Sequence, residues 1–258
     1  MTSSATPHPA LFVLPALAAK ATHETLPETV IAFAVLDGLL EAIEWANEGV
    51  AADEPACMWL STLRWTRALD GSVPEGAPEP PSRWTDEHFR AIARRLTPEQ
   101  RAIVNEHADI QTLRGPEMGT PSRPFAKKRL PDHEYQNDDA ARLALRSFIL
   151  GLLPDADGTL TNRLTRDAAA LTHGAEASYF YAQSVGRWAN TQLWPDVHTA
   201  TEESPETPDL GAFETQVTTA VSEVREPSGG VVRPENSATE ALLEFGNELA
   251  QRWAKATS

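Results

Sequence analysis

One stretch constrains the fold more than any other. Between Lys20 and Arg64 there is no Lys or Arg, while Glu24, Glu28, Asp37, Glu41, Glu44, Glu48, Asp53 and Glu54 supply eight acids. Thr25-Leu26-Pro27-Glu28 opens a helix in this stretch, with the Thr-x-x-Glu form whose side chains satisfy the orphan amides of a first turn. At about 100° per residue, Asp37, Glu41, Glu44 and Glu48 fall within a stripe roughly 60° wide. Around the remaining circumference stand Ile31, Phe33, Val35, Leu36, Leu39, Leu40, Ile43, Trp45 and Ala46. A helix this apolar must be wrapped by other elements, leaving only a narrow acidic seam.

Those other elements also read as helices. Helical periodicity dominates the chain, and no convincing run alternates as a strand does. Thr97-Pro98-Glu99-Gln100 marks a second capped helix start, and Gly49, Gly71 and Gly174 read as helix stops. The spacing predicts helices over about 27–48, 54–69, 85–96, 98–112, 138–153, 161–172, 175–194, 210–224 and 235–256. A Pro-rich loop separates the second and third, and Gly115–Pro131 forms another loop carrying Arg123, Lys127, Lys128 and Arg129. The expected architecture is a single all-α bundle. Residues 1–24 read as a poorly ordered N-terminal segment and 25–194 as the main helical domain. Residues 195–209 read as a linker, and 210–258 as helices completing or packing on the same domain.

Charge narrows the functional classes. The 258 residues carry 22 Lys plus Arg against 37 Asp plus Glu, a formal charge of −15. A duplex nucleic-acid binder or an anionic-membrane binder needs a cationic face, so neither partner is expected. A single cysteine, Cys57, rules out an internal disulfide framework and any CxxC motif. The apolar run Ala10–Ala19 lacks the positive flank of a secretory signal, and no run is long enough to span a membrane. The expected location is cytoplasmic.

The acidic seam calls for a cation. Like charges at i,i+4 cost about 0.2–0.5 kcal/mol each even when solvated. A hard divalent ion such as Mg²⁺ is one answer, since it takes carboxylate oxygens. Solvation, or pairing with Arg64, Arg67 or the loop cations, is the other.

Here the residues resemble the ADP-ribosylglycohydrolase family. Val35-Leu36-Asp37-Gly38-Leu39-Leu40-Glu41-Ala42-Ile43-Glu44-Trp45 is similar to that family's G-D-A-L-G-x-x-x-E helix, with Asp37 and Glu44 as the matching acids. Ala52-Asp53-Glu54-Pro55 stands where the family has its T-D-D-T metal motif. The stretch Arg142 to Pro154, reading R-L-A-L-R-S-F-I-L-G-L-L-P, is similar to G-A-V-M-R-A-A-P-L-G-L-L-P through Arg146 and Gly151. Ala169 to Ala177, reading A-A-L-T-H-G-A-E-A, resembles A-x-L-T-H-G-x-x-A through His173 and Gly174. The likeness runs from about Thr29 to Trp194. It implies an all-α fold and, in intact members, a binuclear Mg²⁺ site that cleaves an ADP-ribosyl bond. Under it Glu44 is the catalytic residue, Asp37, Arg146 and His173 bind substrate, and Asp53 and Glu54 bind metal. ADP-ribose or an ADP-ribosylated substrate is the implied partner.

The departures bear on chemistry. Leu36 and Leu40 replace two motif glycines, so isobutyl groups occupy space that a ligand or a backbone would otherwise approach. Ala52 and Pro55 replace two threonines, and no D-x-D-T occurs; after His173 the acidic pair is Glu202-Glu203 in the linker. Mg²⁺ demands near-octahedral oxygen coordination, so the donors left hold one ion weakly at best. Asp53 also reads as a helix N-cap and Glu54 as a first-turn acid. Without metal, Asp37 and Glu44 lie about 10 Å apart along one helix face and straddle nothing.

Other candidates have bland readings beside them. His173 serves a site or caps a helix, and the remaining histidines show no metal-ligand spacing. Tyr179, Phe180, Tyr181 and Trp188 form a base-stacking platform or core. Cys57 reads as buried and inert. Three functions follow: a Mg²⁺-dependent ADP-ribosylglycohydrolase, an ADP-ribose or nucleotide binder without turnover, or a helical interaction protein whose groove Leu36 and Leu40 have filled.

Overall fold

A computed structural model describes residues 7–124, 140–198, 205–227 and 234–257. Lys127, Lys128, Arg129, His133 and Glu202-Glu203 lie outside the described residues. Among those described, the chain is all-helical, with one isolated bridge, Thr120 to Arg123, as its only β-type pairing. The helices are α1 Ala10–Ala19, α2 Leu26–Asn47, α3 Glu54–Asp70, α4 Thr85–Arg95, α5 Pro98–Glu106 and α6 Ala108–Leu113. After a 3-10 turn at Ala140–Leu143 come α7 Ala144–Leu150, α8 Thr159–Ala170 and α9 Glu176–Leu193. A further turn at Gly211–Phe213 leads into α10 Glu214–Arg225 and α11 Ser237–Ala256. None of these helices is long and apolar enough to cross a membrane.

The central element is α2, as its sequence requires. Every residue from Leu26 to Ala42 is buried, wrapped by α3, α7 and α11. Its approach to α3 depends on Gly38, where an added Cβ would lie 2.4 Å from both the Cys57 carbonyl oxygen and the Met58 Cα. A helix–helix contact this close admits no side chain.

Residues 10–19 correct the expectation of a poorly ordered N-terminus. They form α1, buried over seven of its residues against α10 and α11. The segment is apolar on all sides, so it carries no periodic signal; only its neighbours explain it. Gly246 of α11 opens the space, since a Cβ there would meet the Leu14 carbonyl at 3.1 Å.

Two further departures shape the site. The Thr97–Gln100 capping box forms as expected, but the one at Thr25 does not. The Thr25 hydroxyl accepts from the Thr22 amide at 3.0 Å, and Glu28 turns into the core, 0 % exposed. The helix expected over 98–112 breaks at His107, whose backbone is extended (φ −64, ψ 124). That break swings Asp109 inward, also 0 % exposed. Gly174 is not among the left-handed glycines, whereas Gly49 and Gly71 are.

Candidate functional site

The acidic seam of α2 is answered by arginine. Asp37 is fully buried and accepts four polar contacts at once. Its Oδ1 takes the Arg83 Nε–H at 2.8 Å, and its Oδ2 takes the Ser61 hydroxyl at 2.8 Å and the Thr85 hydroxyl at 3.1 Å. The Arg64 Nη1 lies 3.9 Å from the same Oδ2. Arg64 is itself buried and pairs with Glu41 at 3.0 Å, while its Nε–H donates to the Pro81 carbonyl at 3.1 Å. Arg83 reaches on to Glu44, Nη2 to Oε2, at 2.9 Å. Burial disfavours the Arg83 charge, but Asp37 and Glu44 more than offset this and raise its pKa above the ordinary value.

Sequence reasoning named Arg64 and Arg67 as partners for the seam. Arg64 serves, whereas Arg67 turns to Glu79 and Asp86. Arg83 was missed. It lies 46 residues from Asp37 in a Pro-rich loop, and no local pattern announces such a pairing.

A second buried cluster sits at the start of α2 and joins two residues the resemblance singled out. Arg146 of α7 donates from Nη2 to Glu28 at 2.8 Å and to Asp109 at 2.6 Å, and from Nη1 to the Thr172 hydroxyl at 2.7 Å. That hydroxyl is 2.8 Å from His173 Nδ1, and the imidazole stands 4.0 Å from Asp109. His107 and Arg142 flank the group at 3.7 Å from Glu28 and 3.9 Å from Asp109 respectively. Glu28, Asp109, Arg146, Thr172 and His173 are each 0 % exposed.

Burial pushes the Glu28 carboxyl well above its ordinary range, and Arg146 only partly opposes this. Burial acts on Asp109 in the same direction, but His173 and Arg146 together hold it far below the carboxylate range. Burial thus drives Glu28 toward its protonated form, while the surrounding cations favour the charged form of Asp109. The arrangement is a buried network of ion pairs and hydrogen bonds, and a substrate could reach Arg146 or His173 only by opening the bundle.

Asp53 and Glu54 stand apart from both clusters. Asp53 caps α3, its Oδ1 accepting from the Ala56 amide at 3.1 Å. Glu54 is held by both terminal nitrogens of Arg163, at 3.0 and 3.3 Å. Partial burial pushes the Glu54 carboxyl up, but the Arg163 hydrogen bond, a backbone hydrogen bond and the Arg163 charge together outweigh it and leave the pKa lowered. A Mg²⁺ ion needs about six hard oxygens. Of the acids the resemblance assigns to metal or catalysis, Glu44 and Glu54 already face guanidinium groups and Asp53 a backbone amide, so this donor set does not fit the ion.

The aromatic candidates divide. Tyr179 and Trp188 are buried at 6 % exposure each, Tyr181 packs against the core, and Phe180 points to solvent. Cys57 is buried, and its thiol is pushed up to about 11 by burial and then by Glu41 and Asp53. Its burial agrees with the sequence expectation.

Two surface features adjoin these clusters. A cleft of about 900 Å³ opens beside Arg64 and Arg83 and is also lined by Arg67, Arg90, Arg94 and Trp84. Arg90 and Arg94 are exposed and form no ion pair among the described residues. Arg252 covers one face of Trp84 at 4.3 Å from the ring centroid. A separate apolar groove of about 530 Å³ runs between the C-terminal half of α2 and α8. Comparison of the chain with protein-family models, with curated proteins and with solved structures finds no match, so the ADP-ribosylglycohydrolase resemblance rests on the quoted residues alone.

Proposed function

We propose that this chain is a helical interaction module that does not hydrolyse a glycosidic bond. The observation behind the proposal is the engagement of its acids. Asp37, Glu41 and Glu44 are clamped by Arg64 and Arg83, Glu54 by Arg163, and Asp53 by a helix cap. Glycoside cleavage needs one carboxyl poised to give a proton and a second to act as base or nucleophile across the bond. Here Asp37 and Glu44 share the same Arg83 and sit on one helix. Arg146 and His173 spend their polar groups inside the core. What the chain presents outward is shape and charge, which is the equipment of a binding surface.

A second reading, binding of ADP-ribose or a related nucleotide without turnover, is favoured by one feature. Arg90 and Arg94 line the 900 Å³ cleft and form no ion pair among the described residues, and guanidinium groups suit pyrophosphate oxygens.

Thermal shift with ADP-ribose, with and without Mg²⁺, separates these readings. The expected result is an unchanged melting temperature in both conditions and no release of ADP-ribose from a modified protein. A ligand at about 100 times its Kd would add about 2.7 kcal/mol to the folded state. A shift independent of Mg²⁺ and lost in Arg90→Ala/Arg94→Ala would establish the nucleotide binder. A Mg²⁺-dependent shift accompanied by ADP-ribose release would overturn the non-hydrolytic reading.

A further inference from the structure

The arginine-lined cleft carries an inference about the partner, and it rests on the interaction-module reading. The cleft lies between the C-terminal half of α3 and α4, with Glu248 of α11 at one side. Five guanidinium groups line it against three carboxylates, Asp86, Glu87 and Glu248. Most of these charges are already committed. Arg64 and Arg83 turn inward to the acids of α2, and Arg67 holds Asp86 and Glu79. Glu248 is held by His88 and Arg252. Arg90, Arg94 and Glu87 are left, all exposed and none in an ion pair among the described residues. Like charges one turn apart on a helix repel, and a single carboxylate answers at most one of them. The chain as a whole is strongly acidic at −15, yet this cleft ends with more uncommitted cations than acids.

Size and the aromatic wall select among anions. A lone ion does not fill about 900 Å³. A nucleotide gains from an aromatic surface on which its base stacks, but Trp84 is already engaged by three neighbours. Arg252 lies over its ring at 4.3 Å from the centroid, and His88 and Phe245 meet it edge to face at 5.5 and 5.8 Å. Guanidinium groups are therefore the recognition elements on offer, and they pair well with carboxylates. Arg90 and Arg94 are about 6 Å apart along the axis of α4. Alternate side chains of an extended peptide are about 7 Å apart on one face, so one such segment reaches both. We propose that the cleft docks an acidic segment of a partner protein, with carboxylates at alternate positions that pair with Arg90 and Arg94.

The test uses the full chain and a fluorescent peptide of about eight residues that alternates aspartate with alanine. Anisotropy is read at low and high salt beside the same peptide with asparagine for aspartate. The aspartate peptide is expected to bind at least about tenfold more tightly, and to weaken as salt rises. Arg90→Ala/Arg94→Ala is expected to weaken it at least about tenfold without lowering the melting temperature, since neither side chain is ion-paired in the fold. Arg90→Glu/Arg94→Glu should bind a lysine version of the peptide more tightly than the wild type does. Lys20→Ala/Arg187→Ala removes two exposed cations outside the cleft and should leave binding unchanged.

An equal loss in Lys20→Ala/Arg187→Ala would reduce the effect to net charge and overturn the proposal. So would equal binding of the aspartate and asparagine peptides, or tighter binding of ADP-ribose than of the peptide in competition. A dimer in sedimentation that Arg90→Ala/Arg94→Ala dissolves would assign the cleft to a second copy instead. Failure of the peptide to bind, with ADP-ribose also inert, removes this cleft and leaves the interaction-module reading standing. Mg²⁺-dependent ADP-ribose release removes that reading itself.

Discussion

Replacing Arg146 by methionine is expected to lower the unfolding free energy by about 3–5 kcal/mol, measured by urea denaturation at neutral pH. Methionine fills much of the arginine's volume, so the loss reports charge rather than a cavity. Without the guanidinium, Glu28 and Asp109 face each other in a site of 0 % exposure, and the Thr172 hydroxyl loses its 2.7 Å donor. Neutralising both acids as well, in Glu28→Gln/Asp109→Asn/Arg146→Met, should recover much of the loss, because the penalty arises from unpaired buried charge.

The same cluster sets a pH signature. The folded Asp109 titrates below its ordinary value of 3.8. Its contribution is therefore present above that pH and disappears as the solution becomes more acid. Glu28 has the opposite sign. Its folded pKa lies well above the ordinary 4.5, so over the interval between the two values the folded chain holds more protons than the unfolded one. Stability then falls as pH rises through that interval. Glu28→Gln should abolish this decline and leave the acid-side loss intact. An unchanged slope above pH 4.5 would mean that Glu28 is ionised in the fold.

The second large effect is expected at Gly38. Its substitution by valine should cost about 3 kcal/mol or more, at or beyond the top of the usual overpacking range. The obstructing atoms are backbone, the Cys57 carbonyl and the Met58 Cα at 2.4 Å, and they cannot rotate away as a side-chain end could. Gly38→Ala is the sharper probe. In a free helix it would gain about 1 kcal/mol from propensity, so a net loss measures the clash directly. Pushing α3 from α2 also stretches the Asp37–Ser61 bond and the Arg64–Glu41 pair. Faster hydrogen exchange in both helices should accompany the loss. A stabilised Gly38→Ala would show that the two helices do not pack as closely as described.

Much of the helical layout was legible in residue spacing because a helix is written in local order. The apolar circumference of α2, the acidic stripe from Asp37 to Glu48 and the Thr97 capping box all follow from residues a few positions apart. The helix break at His107 was not legible. The residues around it read as one helix, and the extended turn is held by Asp109 entering a cluster with Arg146, which lies 37 residues on. The missed α1 has the same origin. A uniformly apolar segment looks alike whether frayed or buried, and α11 with its Gly246 decides between the two.

For the candidate site, sequence alone established that α2 carries an acidic stripe on an otherwise apolar helix, and it left solvent, a metal ion and basic side chains as the answers to that charge. It could not say which cation, because ion pairing in a core is a matter of distance in space, not of position in the chain. The tertiary structure brought Arg83 across from a proline-rich loop, Arg64 from α3 and Arg163 from α8, and so made Asp37, Glu41, Glu44 and Glu54 partners of guanidinium groups. Local spacing wrote the helices; close packing of distant segments decided what their charges do.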